Sequence, residues 1–306
     1  MLLSLAQVKV NLMELVGLGF LIGLLSGMFG VGGGFFLTPM LNAVFGIPYN
    51  VAVGSSLCQM IGTSAAGSLR HRSYGNIDYR LALFIIIGSI LGVELGAQLL
   101  MMLKGWGSIT IHRQSVTKMY LVMSIIYIFL LSMVGVFMFQ EARRNRNKKD
   151  SSNEVLTGIA YEVRQIKFFP LVSLPASRIN YISLWVILFC GFCGGILSGL
   201  LGVGGGFIFV PMLIYILGIP TSIAVGTSLF QIIFISTYGS VSHFAKGNIN
   251  FYLVALILAG SLMGSQIGAI VNDKMKGSSV RYYFSWVVFS SLAIILIRLL
   301  SSLRYV

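Results

Sequence analysis

Long apolar runs separated by short polar breaks follow one another along the whole chain. Each run has the length of a helix, and the same series of runs occurs twice. The pattern predicts helices at about 12–29, 35–45, 50–70, 79–102 and 116–140, and again at about 182–201, 207–217, 222–244, 251–271 and 281–301.

The two series are copies of one unit. The stretch that begins Gly27-Met-Phe-Gly-Val-Gly-Gly-Gly34 returns at Gly199, at an offset of 172 residues. At that offset, without a gap, residues 27–97 and 199–269 are identical at 34 of 71 positions. Repeated units in a very apolar chain are typical of transporters, whose sites lie where the copies meet.

The second segment of each copy is too short to cross a membrane. About eleven residues at a rise of 1.5 Å give roughly 17 Å, which is half of the hydrocarbon core. Each short segment follows a run of glycines and contains a proline, Pro39 or Pro211. This pattern predicts a half-helix preceded by unwound backbone, which must be buried in protein or line a cavity.

Composition supports a membrane protein. The chain is 57% hydrophobic and 9% charged, whereas soluble globular chains carry about 25% charged residues. Apolar runs long enough to span a bilayer recur throughout. The sequence therefore predicts an all-α polytopic membrane protein of two homologous repeats, each with a half-helix broken by glycine, in the plasma membrane (the bacterial inner membrane).

The net charge of +13 does not indicate nucleic acid. Eight of the 21 Lys and Arg residues lie within residues 143–178, together with acidic residues. A basic loop between apolar spans is typical of the cytoplasmic side. We therefore predict a first transmembrane repeat at 1–140, a basic cytoplasmic linker at 141–180 and a second transmembrane repeat at 181–306.

The orientation of the two repeats depends on the number of crossings in each. Five crossings would invert the second repeat, and four would leave the two parallel. One pair of equivalent loops differs in charge, with Arg70, Arg72 and Arg80 in the first copy and only Lys246 in the second. Because basic loops favour the cytoplasm, the difference favours inverted repeats.

The glycine runs are the first candidate binding site. A dinucleotide fingerprint needs a third glycine where Phe35 and Phe207 stand, and no P-loop lysine follows. Free N–H groups before a half-helix would instead suit an anion. The alternative is that the glycines only allow close helix packing. The candidate residues are Gly32, Gly33, Gly34, Gly204, Gly205 and Gly206.

The third helix of each copy adds neutral polar side chains, namely Ser55, Ser56 and Gln59 in the first copy and Thr227, Ser228 and Gln231 in the second. Such groups, unlike fixed cations, could bind an oxyanion and release it again. They could equally form hydrogen bonds between helices.

Three titratable residues are candidates for gating or coupling. His71 and His243 each follow the glutamine of their helix by twelve residues, about 18 Å, which predicts solvated helix ends near the membrane boundary rather than beside the glycines. Glu94 lies inside a long apolar run, where a carboxylate suggests proton coupling. Its counterpart is Gln266, so the shared architecture does not require this charge.

Cofactor chemistry has little support. Cys190 and Cys193 have the spacing of a redox or metal pair, but no second pair or nearby histidine completes it. The sequence predicts no metal and no cofactor. It also shows no nucleophile with a base and no pair of carboxylates within the apolar segments, which argues against an enzyme.

The paired motifs, Gly-x-x-Gly-x-Gly-Gly-Gly-Phe followed by Pro-Met-Leu and Gly-Ile-Pro, resemble the sulfite exporter TauE/SafE family. The resemblance covers about residues 15–100 and 187–275. It implies transport of a small sulfur-containing anion: sulfite, thiosulfate or an organosulfonate. It also implies that the two glycine runs form the central substrate region, with Ser55, Ser56, Thr227 and Ser228 nearby. Only the resemblance selects sulfur.

The sequence thus favours a secondary transporter that works by alternating access, with the small anion and the lipid bilayer as partners and protons as the candidate coupling ion. The alternatives are an anion channel and a carrier for another small anion, such as a carboxylate.

Overall fold

The computed structural model describes residues 2–5, 8–111, 114–146, 158–166, 168–177 and 179–304. Within these residues the chain is predominantly helical. The helices are α1 (Leu12–Phe29), α2 (Gly34–Ala43), α3 (Tyr49–Ser73), α4 (Tyr79–Lys104), α5 (Lys118–Arg146), α6 (Gly158–Gln165), α7 (Leu184–Leu201), α8 (Gly206–Pro211), α9 (Thr221–Ala245), α10 (Phe251–Lys274) and α11 (Gly277–Arg304).

The prediction of an all-α polytopic membrane protein is confirmed. Seven of the described helices are long and apolar enough to cross a membrane, namely α1, α4, α5, α7, α9, α10 and α11. Helix α3 has the same length as its counterpart α9, 25 residues. It is more polar, because its last turn carries Arg70, His71 and Arg72. Every helix predicted from the apolar pattern is present.

Local structure differs from the pattern in two respects. The second half-helix changes from α8 into a single π-helical turn, Met212–Ile216, whereas α2 stays α-helical throughout. Three short antiparallel hairpins, which the pattern does not predict, lie between the apolar runs or at their ends: Leu2–Leu5 with Val8–Asn11, Ser108–Ile111 with Gln114–Thr117, and Leu171–Leu174 with Ile179–Ser183.

The two halves interlock through their first and fourth helices. Helix α1 packs along α10, and α4 packs along α7, so each first helix pairs with the fourth helix of the other half. Glycines at every fourth position form these contacts: Gly19, Gly23 and Gly27 in α1, Gly260, Gly264 and Gly268 in α10, Gly88, Gly92 and Gly96 in α4, and Gly191, Gly195 and Gly199 in α7. At each of them a Cβ atom would overlap the backbone of the partner helix. This is the close packing that small residues allow in membranes.

Two pairs of equivalent helices, α3 with α9 and α5 with α11, pack antiparallel to each other. At the centre, the side chain of Leu57 in α3 lies against Gly239 in α9, and that of Leu229 lies against Gly67. Helices α5 and α11 form a similar pair, because Phe289 lies against Gly135, and Glu141 near the end of α5 meets Arg281 near the start of α11. Because the early residues of α3 face the late residues of α9, these two helices are antiparallel.

Gly23 allows a direct test of the interlock. We expect Gly23→Ala to lower the free energy of unfolding by about 1–3 kcal/mol, because the added methyl group would overlap the backbone of Ser261. Thermal or denaturant unfolding in detergent micelles would measure the loss.

Gly17 provides the matched control, since it lies in the same helix and a Cβ atom there meets nothing within 4 Å. Gly17→Ala should leave stability unchanged or raise it by about 0.4–1 kcal/mol. Equal stability of the two variants would contradict the close packing of α1 on α10.

Candidate functional site

The backbone unwinds at two stretches, residues 30–34 and 202–206, which we call the glycine segments. In the first, Gly30, Gly32 and Gly33 have φ angles of 74°, 68° and 84°. In the second, the equivalent angles at Gly202, Gly204 and Gly205 are 69°, 63° and 77°. Residues with a side chain rarely adopt this left-handed conformation. The break before each half-helix therefore depends on glycine.

The two glycine segments meet in the buried centre of the molecule. The side chains of Met60 and Ile232 each lie against both Gly32 and Gly204. The rings of Phe35 and Phe207, one residue beyond the segments, stack with their centroids 5.7 Å apart. The structure thus brings together all six glycines that the sequence singled out.

Both segments present backbone N–H groups that have no acceptor among the described residues. The carbonyl oxygen of Gly33 accepts from Phe36 at 3.2 Å and from Leu37 at 3.0 Å, and this begins α2. The N–H groups of residues 31–35 donate to no acceptor within the described part of the chain, and those of residues 203–207 repeat the pattern. All ten residues are buried. Buried donors of this kind normally have a partner, and a small anion would satisfy them.

Two of the predicted hydroxyls accept hydrogen bonds from backbone N–H groups at the starts of helices. Ser55 Oγ accepts from the backbone N–H of Asn250 at 3.0 Å, and Thr227 Oγ1 accepts from that of Asp78 at 2.9 Å. Asp78 and Asn250 are also the N-caps of α4 and α10, where their side chains accept from Leu81 and Leu253. Ser55 and Thr227 therefore join the third helix of each half to the start of the other half's fourth helix.

The remaining four predicted side chains are buried but differ between the halves. Ser56 Oγ accepts from Thr38 at 3.0 Å, and Gln59 Nε2 donates to Ser261 at 2.8 Å. Ser228 Oγ and the amide of Gln231 have no hydrogen-bond partner within the described residues. Equivalent positions thus have unequal surroundings.

The two histidines are not at solvated helix ends, and that expectation is wrong. Both side chains are fully buried. His71 Nε2 lies 3.0 Å from the carbonyl oxygen of Gly27, and His243 Nε2 lies 3.1 Å from that of Gly199. Since the last turns of α3 and α9 pack against the ends of α1 and α7, both rings lie one turn before the glycine segments.

Glu94 lies away from the glycine segments, beside the end of α9. Its Oε1 is 3.3 Å from Nζ of Lys246, and its side chain is 34% exposed. It also accepts hydrogen bonds from Ser242 at 2.8 Å and Gln98 at 3.1 Å. The carboxylate inside the apolar run is therefore paired with a cation.

A second ionic group, which the sequence analysis missed, lies near the end of the second half-helix. Glu141 Oε2 is 3.1 Å from Nε of Arg281 and accepts from the hydroxyl of Tyr215 at 2.9 Å. Arg281 also donates to Thr221 at 2.6 Å. Glu141 follows one apolar run and Arg281 begins another, and a charged residue at such a boundary can indicate an ionic contact. Pairing the two requires knowing that α5 and α11 are antiparallel.

The linker also contacts this half-helix. From α6, Arg164 donates to the carbonyl oxygens of Leu217 at 3.2 Å and Gly218 at 3.0 Å, just beyond the π-helical turn. Partial burial lowers the pKa of the Arg164 guanidinium from its ordinary value.

Metal ligands do not converge on the glycine segments within the described part of the chain. Among the residues that the structure describes, no three His, Cys, Asp or Glu side chains converge. The donors assembled at the centre are backbone N–H groups, hydroxyls and amides. Chemically, such a set can bind an anion through neutral hydrogen bonds.

Comparison with known proteins gives a consistent result. The model of the family described as sulfite exporter TauE/SafE matches residues 15–295. The probable membrane transporter protein YunE of Bacillus subtilis is 27% identical, over 87% of this chain and 90% of its own length. A probable membrane transporter protein of Xylella fastidiosa is 23% identical, over 88% and 87%. The probable membrane transporter protein MJ0441 of Methanocaldococcus jannaschii is 25% identical, over 89% and 90%. No solved structure matches the chain significantly.

Proposed function

Because the chain belongs to the sulfite exporter TauE/SafE family, we propose that it moves a small sulfur-containing anion across the plasma membrane by alternating access. Its relatives and its apolar helices identify it as a multi-pass membrane transporter. The proposed cargo is sulfite, thiosulfate or an organosulfonate. One observation carries the proposal: two glycine segments meet at the buried centre, and the N–H groups beside them have no acceptor in the described part of the chain.

Neutral donors suit a carrier. Backbone N–H groups before a half-helix attract an anion through their partial positive charge, and no fixed cation has to be displaced when the anion leaves. Gly32 to Gly34 and Gly204 to Gly206 would line the site. Unwound backbone around a substrate at the membrane midplane is the arrangement of many secondary transporters.

The interlock suggests which parts move. Backbone contact ties α1 to α10 and α4 to α7, and α3 packs on α10 as α9 packs on α4. The moving bodies would therefore be two mixed bundles, α1–α3–α10 and α7–α9–α4, and not the two halves of the sequence. Rocking across the interface between α3 and α9 would expose the glycine segments to each side in turn.

The substrate prediction is tested by counterflow in proteoliposomes. We expect saturable exchange of labelled sulfite, thiosulfate, sulfoacetate or taurine, since the family resemblance selects a sulfur compound. Phosphate and acetate serve as competing anions of similar size. Absence of saturable movement for every sulfur compound would refute the substrate assignment, and conductance at channel rates would refute the carrier mechanism.

Protons are the proposed coupling ion, with Glu94 as the candidate carrier. If Glu94 carries the coupled proton, Glu94→Gln should abolish the dependence of transport on a pH gradient, because an amide cannot exchange the proton. The measurement is initial uptake at several external pH values. Glu162→Gln removes a carboxylate from an exposed position of α6 and should keep the pH dependence. Retained pH dependence in Glu94→Gln would exclude Glu94 from coupling and leave it as the partner of Lys246.

The repeats are proposed to be inverted. Helices α3 and α9 are equivalent and antiparallel, which supports this orientation. Single cysteines introduced at the exposed positions Ser73 and Ala245, in a chain without its three native cysteines, should react with an impermeant reagent from opposite sides of the membrane. Labelling of both from the same side would contradict inversion.

A further inference from the structure

Equivalent polar side chains near the glycine segments have different hydrogen-bond partners in the two halves. In the first half, Thr38 donates to Ser56, and the amide nitrogen of Gln59 donates to Ser261 and to Thr63. These bonds tie α3 to α2 and α10. Of the polar atoms of Ser56 and Gln59, only the carbonyl oxygen of Gln59 lacks a partner in the described chain, and an oxygen acceptor would repel an anion.

In the second half, the equivalent atoms differ. Ser228 Oγ and both amide atoms of Gln231 are fully buried and have no partner in the part of the chain that the structure describes. A buried amide or hydroxyl without a partner keeps its full desolvation cost. Such groups require an explanation, and a bound anion provides one for the two donors, the Ser228 hydroxyl and Gln231 Nε2.

The sequence explains why these partners are missing. The position equivalent to Thr38 is Val210, and the position equivalent to Thr63 is Ile235, so two hydroxyl groups of the first half are replaced by apolar groups. Ser89, the equivalent of Ser261, donates to the carbonyl oxygens of Ile85 and Gly191 instead.

Ser228 lies on the face of α9 that meets the glycine segments, because Ile232, one helical turn later, contacts Gly32, Gly204 and Gly206. Gln231 is three residues from Ser228, so the two side chains are neighbours on the helix. Four other buried hydroxyls without partners among the described residues form two equivalent pairs, Ser26 with Ser198 and Ser64 with Ser236, and do not distinguish the halves.

We propose that, of these side chains, only those of the second half bind the substrate, an arrangement that we call a one-sided site. Ser228 and Gln231 donate hydrogen bonds to the oxygen atoms of the substrate, whereas Ser56 and Gln59 hold helices together. The inference rests on the proposed transport of an anion through the glycine segments. It adds that the cargo offers at least two acceptor oxygens, as sulfite, thiosulfate and sulfonates do.

Matched variants in the two halves test the proposal. Ser228→Ala and Gln231→Leu should each raise the KM for counterflow about tenfold, the effect of losing one hydrogen bond to a charged ligand, while the Tm of the ligand-free protein in detergent stays the same or rises. Ser56→Ala and Gln59→Leu should lower that Tm and leave KM within about twofold, because these side chains do not touch the substrate. Equal increases in KM for Gln59→Leu and Gln231→Leu would overturn the one-sided site.

A second pair of variants adds groups instead of removing them. Val210→Thr and Ile235→Thr give the second half the two hydroxyl groups that the first half has at Thr38 and Thr63. Compared with the parent protein, each variant should have a higher Tm, because the new hydroxyl gives Ser228 or Gln231 a partner. Ile235→Thr should also have a higher KM, because the new hydroxyl oxygen accepts from Gln231 Nε2 in competition with the substrate. Val210→Thr should leave KM within about twofold, because the new hydroxyl donates to Ser228 Oγ, as Thr38 does to Ser56, and leaves the Ser228 proton free. A higher Tm with unchanged KM for Ile235→Thr would overturn the proposal.

Failure of the proposed function has a different signature. A parent protein whose Tm responds to phosphate or acetate, and which transports no sulfur anion, would refute the substrate assignment. The same variants would then support or overturn the one-sided site with that anion. If none of the anions is transported or shifts Tm, both proposals fail.

Discussion

Direct contact between helix backbones is the interaction on which the rest of the structure depends. Every fourth residue of α1, α4, α7 and α10 along the contact lines is glycine, and no side chain separates the paired helices at these points. Because α1 is tied to α10 and α7 to α4, the ends of α1 and α7 are drawn into the same bundle. The two glycine segments that follow them meet there, and α3 and α9 close around them.

The same arrangement leaves polar groups in the protein interior that have no partner among the described residues and that the proposed ligand would satisfy. Backbone donors of this kind occur in the glycine segments of both halves, whereas the amide without a partner in the described chain occurs on α9. A duplicated architecture thus has unequal hydrogen bonding at equivalent positions. Small substitutions, such as Val210 in place of the equivalent of Thr38, are sufficient to produce the difference.

Much of the fold could be predicted from the sequence, because apolar length and the glycine breaks determine where helices start and stop. The burial of His71 could not be predicted, since counting residues along one helix gives a depth but not the neighbour that covers the ring. The pairing of Glu141 with Arg281 likewise depends on how distant helices pack. The lack of a partner for the Gln231 amide among the described residues could not be predicted, because the sequence shows that Ile235 replaces Thr63 but not that Thr63 and Ser261 are the partners of Gln59.

The pairing of α1 with α10 also has a consequence for how the chain is made. Gly19 and Gly264 belong to neighbouring helices but are separated by most of the polypeptide. During synthesis, at about 5–20 residues per second, α1 enters the bilayer well before its partner exists. Its glycine face must meanwhile rest against lipid or another protein. The molecule therefore acquires its packed core only when the last third of the chain has been inserted. Misassembly of α1 is accordingly most favoured during synthesis, before α10 is in place.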